Sequence, residues 1–143
     1  MILPDVNVLV YAFRREAVGH HRYASWLAEV VAGGDELALT DHSLIGFVRI
    51  VTNHRIFAKP APTGVALDFV ARLRGAPRAR WLPAGAPCWD RVQELVDRDR
   101  GISGNLVPDA YLAAAALAHG CRLATADRGF ARYPGLDSFD PAA

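Results

Sequence analysis

The sequence predicts an α/β protein in which helices cover both sides of a mainly parallel central sheet. Short apolar segments typical of strands alternate along the chain with longer segments whose apolar residues recur at helical spacing. Alternation of this kind is typical of parallel sheets sandwiched between layers of helices. The 143 residues are 52% hydrophobic and 22% charged, which is the balance of a globular protein with a substantial core. We therefore expect a single domain that spans residues 1–143.

The first half of the chain carries patterns for two strands and for two or three helices. Residues 1–4 form an apolar run that predicts a buried strand, and residues 6–14 fit either a short helix or an extension of that strand. Aromatic and aliphatic side chains recur at helical spacing over residues 18–32, and two glycines then end the segment. Residues 36–40 alternate as a strand does, and an apolar stripe predicts a helix over residues 43–52.

The second half continues the alternation and ends in a segment typical of an edge strand. Two prolines precede the next helical pattern, Pro108 is compatible with the first turn of a helix, and Gly120 is a typical helix end. Helices are predicted over residues 63–73, 88–100 and about 108–119. Strands are predicted over residues 80–83, 122–126 and 136–139.

Three aspartates border the most hydrophobic segments of the chain and are its strongest indication of function. Asp5 follows the first apolar strand, Asp109 opens an alanine-rich helical run, and Asp127 closes the strand over residues 122–126. An ionised carboxylate in apolar surroundings requires an ion pair, hydrogen bonds or a bound metal. The sequence therefore indicates these three positions as candidate site residues.

The predicted fold brings the three aspartates to one edge of the sheet. Sites in open α/β sheets lie beyond the carboxyl ends of the strands, and Asp5 and Asp127 each follow a strand. Asp109 shares a helical face with Leu112 and Ala116, so we expect its side chain to point inward. The residues alone also permit ordinary roles, since Asp109 would favour a helix dipole and Asp127 suits a turn.

Three carboxylates at one site repel one another, and a divalent cation relieves that repulsion. Oxygen-only ligands favour a hard cation such as Mg²⁺ or Mn²⁺, and the chain has no zinc-type set of ligands. Such a cation activates water and neutralises charge on a phosphoryl group, so the pattern predicts metal-assisted hydrolysis of a phosphodiester. Asn7 and Thr125 lie two residues from Asp5 and Asp127, and we expect them to orient a ligand or a water.

Composition narrows the class of protein further. No apolar run reaches the roughly 18–20 residues that cross a bilayer, and the start of the chain lacks the basic region of a signal peptide. Cys88 and Cys121 form no metal-spaced cluster and no disulfide framework, so we expect buried thiols in a reducing cytoplasm. Fifteen of the sixteen basic residues are arginines, which suits phosphate recognition, although codon usage and solvated surfaces produce the same bias.

Four segments of the chain, taken together and in this order, resemble a PIN domain. They are Asp5-Val6-Asn7-Val8-Leu9, Phe47-Val48-Arg49-Ile50-Val51-Thr52-Asn53, Pro108-Asp109-Ala110-Tyr111-Leu112-Ala113-Ala114 and Ala124-Thr125-Ala126-Asp127-Arg128-Gly129-Phe130. More narrowly, they resemble the VapC toxins of bacterial VapB–VapC toxin–antitoxin modules, including a branch common in mycobacteria. The resemblance covers nearly the whole chain, including His21 and Trp26 in the second helical segment.

The resemblance implies a bacterial, cytoplasmic endoribonuclease that depends on Mg²⁺ or Mn²⁺ and is the toxin of a type II toxin–antitoxin module. It also implies a homodimer that cleaves RNA and is inhibited by a small VapB-like antitoxin. By position, Asp5, Asp109 and Asp127 match the family's catalytic, metal-binding acids, and Asn7 matches its polar neighbour. We expect Arg49 to contact RNA or to pair with a site carboxylate.

One position departs from the family pattern. Typical members have a glutamate on the helix after the second strand, where this chain has Gly46. Members of the resembled branch often lack that acid, so its loss does not exclude activity. Asp41 is the nearest acid, but we expect it to cap the helix instead. The fourth ligand of a metal site therefore stays open.

Two alternatives compete with the ribonuclease hypothesis. A PIN module that binds RNA or antitoxin without cutting is motivated by Gly46. A phosphoacceptor regulator would also carry an aspartate at a strand end. It requires an acidic pair beside the acceptor and a well-placed lysine, whereas Lys59, the only lysine, lies in a proline-flanked stretch.

Overall fold

The computed structural model describes all 143 residues as five short strands and six α-helices. The strands are β1 (Ile2–Pro4), β2 (Leu37–Leu39), β3 (Ala79–Trp81), β4 (Arg122–Ala124) and β5 (Ser138–Phe139). The helices are α1 (Val6–Phe13), α2 (His20–Val31), α3 (Asp41–Val51), α4 (Thr63–Arg74), α5 (Ala86–Arg98) and α6 (Leu106–His119). A 3-10 helix, Arg128–Arg132, lies between β4 and β5.

The five strands form one sheet in the order β3-β2-β1-β4-β5, and every neighbouring pair is parallel. Strand β1 is central, with Ile2 in register with Leu37 of β2 on one side and with Arg122 of β4 on the other. Because parallel neighbours require crossover connections, helices lie between the strands along the chain. The predicted α/β sandwich with a mainly parallel sheet is confirmed.

The sheet separates two apolar layers of the core. Leu3 and Leu123 pack on one face with the alanines of α6 and with Leu95 of α5. Leu37 and Leu39 pack on the opposite face with side chains from helices α1 to α4. Both faces of the three-residue strands β1 and β2 are buried, which explains why these strands read as apolar runs.

The structure decides the open choice for residues 6–14 and places the start of α2 later than predicted. Residues 6–14, which fitted a helix or a strand, form helix α1. Helix α2 begins at His20, after the predicted residue 18, because Gly19 has a φ of 79° and ends the preceding turn in the left-handed region.

The prediction that Asp41 caps α3 is wrong. Thr40 is the N-cap, and its side-chain Oγ1 accepts a hydrogen bond from the backbone N–H of Ser43 at 3.2 Å. Asp41 is the first helical residue and is exposed, so its carboxylate acts on the helix dipole and not as the cap.

Strand β4 ends at Ala124, two residues before the predicted end. Beyond that point, the N–H of Ala126 donates to the side-chain oxygen of Asn7 at 3.3 Å and leaves the strand ladder. The side chain of Asn7, on α1, therefore ends the strand, and local periodicity does not reveal such a contact.

No helix in the structure has the length and apolar character that a bilayer crossing demands.

Candidate active site

The carboxyl ends of β1 and β4 form the point where the order of the sheet reverses. From β1 the chain moves to β2 and β3 on one side, whereas β4 and β5 lie on the other side. Crevices at such switch points are where open α/β sheets bind ligands. Asp5 follows β1 here, and its N–H donates to the carbonyl of Ala124 at 2.8 Å.

Asp5 is 7% exposed, and both of its carboxylate oxygens accept hydrogen bonds. Oδ1 accepts from the N–H of Val6, and Oδ2 accepts from the hydroxyl of Thr125, both at 2.7 Å. Burial raises the pKa of Asp5 above its usual value, the two hydrogen bonds oppose that effect, and the charge of Asp127 adds to it. The carboxylate is therefore held in one orientation in a place where its charge is costly.

A hydrogen-bond network joins Asp5, Asn7, Thr125 and Asp127. The Thr125 hydroxyl donates to Asp5 and accepts from the side-chain amide of Asn7 at 3.4 Å and from the N–H of Asp127 at 3.0 Å. A hydroxyl has one donor and two acceptor sites, so the capacity of Thr125 is fully used. The structure thus brings Asn7 and Thr125 into the predicted site as groups that orient its carboxylates.

Asp127 belongs partly to a turn and partly to the site. Its Oδ1 accepts from the N–H of Gly129 at 2.7 Å and caps the 3-10 helix, as a turn residue does. Its charge also raises the pKa values of Asp5 and Asp109. Asp127 is therefore both a turn residue, which the sequence permitted, and a member of the acidic cluster.

Asp109 lies in the first turn of α6 and is half-buried. Burial raises the pKa of Asp109, and the charges of Asp5 and then Asp127 raise it further, while His42 lowers it. The charges of the three carboxylates therefore act on one another at the carboxyl edge of the sheet. Asp109 differs from the other two because its carboxylate accepts no hydrogen bond within the chain.

The residues present fit a hard divalent cation by their chemistry. The side chains facing the site offer carboxylate, amide and hydroxyl oxygens, and the carboxylates repel one another in the absence of a counter-charge. No group of three His, Cys, Asp or Glu side chains is close enough in the structure to hold one ion directly. Mg²⁺ keeps several of its waters in proteins and needs only one or two carboxylates, so this arrangement suits a partly hydrated ion.

Gly46 lies beside the site, and Arg49 lies on the protein surface. A Cβ atom built on Gly46 would meet Cγ2 of Val6, the residue after Asp5, at 2.8 Å. The place of the missing acid is thus next to the carboxylates, but Val6 occupies it. Arg49 is exposed and forms no ion pair with a site carboxylate. Of its two predicted roles, the ion pair is therefore absent, and contact with RNA stays a prediction.

Sequence reasoning did not place His42, which the structure brings to the site. Burial lowers the pKa of His42 and the charge of Asp109 raises it. The imidazole packs against Tyr111 at 5.7 Å between ring centroids, and Tyr111 packs in turn against Trp89 at 5.5 Å. His42 follows β2 by three residues, so its position at a strand end was the available signal.

Comparison with known proteins identifies the family. The PIN domain family matches residues 2–136 of the chain. Ribonuclease VapC43 of Mycobacterium tuberculosis is 40% identical over 133 residues, which are 93% of this chain and 90% of that protein. Ribonuclease VapC33 of the same organism is 34% identical over 141 residues, which are 99% and 98% of the two chains.

Solved structures share the fold at lower sequence identity. VapBC2 from Rickettsia felis, bound to a DNA fragment from its promoter, superposes with a TM-score of 0.68 at 22% identity over 98% of both chains. FitAcB from Neisseria gonorrhoeae superposes with a TM-score of 0.67 at 19% identity over 99% of this chain and 98% of that chain. The chain therefore belongs to the PIN-domain family and, within that family, to the VapC ribonucleases.

Proposed function

We propose that this protein is a metal-dependent endoribonuclease and the toxin of a type II toxin–antitoxin module. One observation carries the proposal: the charges of Asp5, Asp109 and Asp127 act on one another at the switch point of the sheet. The chain that carries them belongs to the VapC ribonuclease family. The reaction is hydrolysis of a phosphodiester bond in RNA, with water as the nucleophile.

In this proposal the three aspartates would hold a partly hydrated Mg²⁺ or Mn²⁺, one or two of them directly and the others through its waters. A cation bound there would lower the pKa of an attacking water and neutralise charge on the phosphate. Thr125 and the backbone of Val6 keep the Asp5 carboxylate in a fixed orientation. Asn7 donates to Thr125 and so keeps that hydroxyl directed toward Asp5.

Arg49 is the proposed contact to the RNA backbone. It is exposed on α3, the helix that also carries His42 and Gly46 beside the carboxylates, and it is free of ion pairs within the chain. A guanidinium binds phosphate oxygens through paired hydrogen bonds, which compensates for the repulsion between an acidic site and a polyanion.

The test is RNA cleavage by the Asp5→Asn protein, purified away from host nucleases. We expect a loss of roughly hundredfold or more, the scale of a lost catalytic carboxylate. Asp68→Asn is the matched control, because Asp68 is exposed on α4 and belongs to no ion pair. Undiminished cleavage by Asp5→Asn, or an equal loss in the control, would contradict the assignment.

A PIN module that binds without cutting is the second candidate, and Gly46 is the observation that favours it. It predicts little Mn²⁺ affinity, no cleavage and no growth arrest on expression. Titration of Mn²⁺ into the wild-type protein and into Asp109→Asn separates the two candidates. Measurable affinity that the variant loses, together with cleavage, supports the nuclease.

A VapB-like antitoxin is the proposed protein partner, and an apolar groove away from the carboxylates is its proposed binding surface. The groove has a volume of about 1250 Å³ and is lined mostly by apolar side chains, including Phe13 of α1, Leu27 of α2 and Phe69 of α4. It exceeds the ~300–1,000 Å³ of small-molecule sites, which favours a polypeptide segment as its occupant.

The charge at the rim of the groove favours a different, acidic partner over a second copy of this chain. Arg15, Lys59 and Arg72 are among the residues that line the groove, and they form no ion pair within the protein. A two-fold interface between copies would place these like charges against one another. An amphipathic segment with apolar anchors and flanking carboxylates fits both the groove and its rim.

Charge reversal tests this surface. We expect Lys59→Glu combined with Arg72→Glu to abolish rescue by a coexpressed VapB-like antitoxin that neutralises the wild type, while RNA cleavage continues. Reversal of Arg91 and Arg98, which lie on α5 outside the groove, is the control. Full rescue of the Lys59 and Arg72 variant would exclude the groove as the antitoxin surface.

A homodimer in the bacterial cytoplasm completes the proposal. Ile45 on α3, Trp81 at the end of β3 and Trp89 on α5 are large apolar side chains that are 65%, 51% and 58% exposed, and their burial against a second copy would be favourable. These three side chains are uncharged, so two copies that pack through them would not bring like charges together, as the basic residues of the groove would. Sedimentation of wild-type and Trp89→Ala proteins measures the association, and a monomeric wild type would contradict it.

A further inference from the structure

The tripeptide Asp-Arg-Gly occurs twice in the chain and makes the same local hydrogen bond both times. Its copies are Asp99-Arg100-Gly101, which follows α5, and Asp127-Arg128-Gly129, which opens the 3-10 helix at the acidic site. In each copy Oδ1 of the aspartate accepts from the N–H of the glycine, at 3.0 Å in the first and 2.7 Å in the second. A comparison of the two copies therefore isolates what is particular to the one at the site.

The second carboxylate oxygen distinguishes the two copies. Oδ2 of Asp99 accepts from Nε of Arg132 at 2.9 Å and forms an ion pair with the same guanidinium. Oδ2 of Asp127 accepts no hydrogen bond, and Asp127 forms no ion pair within the chain. The protein thus neutralises the carboxylate of the first copy, whereas the second copy keeps one oxygen unpaired on an exposed residue.

Gly129 lies so close to the Asp127 carboxylate that a larger residue would collide with it. A Cβ atom on Gly129 would lie 2.9 Å from Oδ1 and 3.5 Å from Cγ of Asp127. The φ of Gly129 is not positive, so its backbone conformation does not require a glycine. The nearby carboxylate is therefore the physical reason for a residue without a side chain at this position.

The backbone on both sides of this contact is held in place. The N–H of Asp127 donates to the Thr125 hydroxyl at 3.0 Å, and the carbonyl of Asp127 accepts from the N–H of Phe130 at 3.4 Å. Phe130 is 1% exposed and anchors the 3-10 helix in the core. Because packed interiors resist displacement, a side chain at position 129 would move the carboxylate and not the backbone.

We propose that Gly129 is a positioning residue for the Asp127 carboxylate. Its N–H fixes Oδ1, and its lack of a Cβ leaves room for the orientation in which Oδ2 stays unpaired. A group that orients a metal ligand in this way also sets the affinity of the site for the ion. The role in cation binding rests on the proposed function, whereas the contact between Gly129 and Asp127 does not.

The test is the Mn²⁺ affinity of Gly129→Ala, measured by calorimetry. We expect a loss of about tenfold, the scale seen when a group that orients a metal ligand is altered. Gly101→Ala is the matched control, because a Cβ there would lie 3.1 Å from Oδ1 of Asp99, in the copy that Arg132 neutralises. The control should bind Mn²⁺ as the wild type does. An unchanged affinity in Gly129→Ala, or equal losses in both variants, would overturn the proposal.

Urea unfolding in a chelator tests the contact without any metal. Gly129→Ala should lower the unfolding midpoint of the wild type but not that of Asp127→Ala, in which no carboxylate lies beside position 129. The entropic effect of replacing a glycine is the same in both backgrounds, so it cancels in this comparison. Equal shifts of the midpoint would show that Gly129 does not act through Asp127, and they too would overturn the proposal.

The outcomes separate this inference from the proposed function. A wild-type protein that binds Mn²⁺ but cleaves no RNA contradicts the nuclease and leaves the role of Gly129 standing. A protein that cleaves RNA, and whose Gly129→Ala variant binds Mn²⁺ as tightly as the wild type, contradicts the role of Gly129 and leaves the nuclease standing. A wild type without affinity for Mn²⁺ contradicts both.

Discussion

At position 46, a glycine of α3 faces the first residue of α1. A Cβ atom on Gly46 would lie 2.8 Å from Cγ2 of Val6, closer than side-chain carbons approach in folded proteins. Val6 is β-branched and partly buried, so its χ1 rotation is restricted. The missing acid and the valine beside Asp5 are therefore one coupled feature, because a glutamate at position 46 requires a smaller residue at position 6.

We expect Gly46→Glu to destabilise the protein by about 1–3 kcal/mol through overpacking against Val6. Val6→Ala should be mildly destabilising by itself and should restore most of the stability in the double variant, with a coupling of about 0.5–3 kcal/mol. Denaturant unfolding of the four proteins of this cycle gives the coupling energy.

Gly64→Glu is the control for that cycle, since Gly64 lies on α4 and has open space where a Cβ would be. The same substitution there should be neutral or slightly stabilising, because glycine is a poor helix former. Additive effects of Gly46→Glu and Val6→Ala would show that the close approach does not explain the glycine.

Helix α3 illustrates how an element is positioned by its first turn. Thr40 directly follows β2, accepts a hydrogen bond from the N–H of Ser43 and donates one to the Ser43 hydroxyl, both at 3.2 Å. This cap sets where α3 begins, and α3 in turn brings His42 and Gly46 to the carboxyl edge of the sheet. A weaker cap would therefore loosen one wall of the candidate site.

Thr40→Ala should cost about 0.5–2 kcal/mol of stability, the usual effect of losing a side-chain N-cap. Asp41→Ala should cost less, about 0.3–1 kcal/mol, because the exposed Asp41 carboxylate contributes only through the helix dipole. Urea unfolding at low and high salt distinguishes them, since only the Asp41 effect is screened. A larger loss for Asp41→Ala than for Thr40→Ala would restore Asp41 as the cap.

At the scale of the whole molecule, the topology of the sheet brings carboxylates together at its carboxyl edge, and this lowers the stability of the folded state. Asp5 and Thr125 are 120 residues apart in sequence, yet the pairing of β1 with β4 brings them into a hydrogen bond. The same convergence raises the pKa values of Asp5 and Asp109, chiefly by burial. Ionised carboxylates with raised pKa values destabilise the folded state, as functional sites often do.

The pH dependence of stability follows from this shift. Folded Asp109 holds its proton more tightly than the unfolded chain does, so the destabilisation is absent below the ordinary carboxyl pKa of about 3.9 and develops as pH rises through the raised pKa. Metal-free Asp109→Asn should therefore be more stable than wild type at neutral pH, and the difference should vanish toward pH 4. Asp109 accepts no hydrogen bond that this substitution would remove.

Thermal or denaturant unfolding in a chelator between pH 4 and 8 measures that difference. Asp68→Asn, a change at an exposed position, should follow the wild type throughout. A wild type that is as stable as Asp109→Asn at neutral pH would indicate that Asp109 is effectively solvated.

Local sequence patterns could predict those parts of the fold that depend on interactions between residues close in sequence. Helix α5 was predicted from an apolar stripe, and it begins two residues earlier than expected, at Ala86, because a proline is compatible with its first turn. The three aspartates were predicted because carboxylates beside apolar runs are conspicuous whatever the fold. The ends of β4 and the cap of α3 were missed, since they depend on side chains such as Asn7 and Thr40 whose partners periodicity does not reveal.

Composition and periodicity were sufficient for the α/β class and for the order of helices and strands, because both depend on neighbours along the chain, and they also indicated the three aspartates as candidate site residues. The order of strands in the sheet, the Asp5–Thr125 hydrogen bond and the place of His42 required the folded structure. These features arise from packing between residues that are distant in sequence, where the free energy of burial selects contacts that no local pattern specifies.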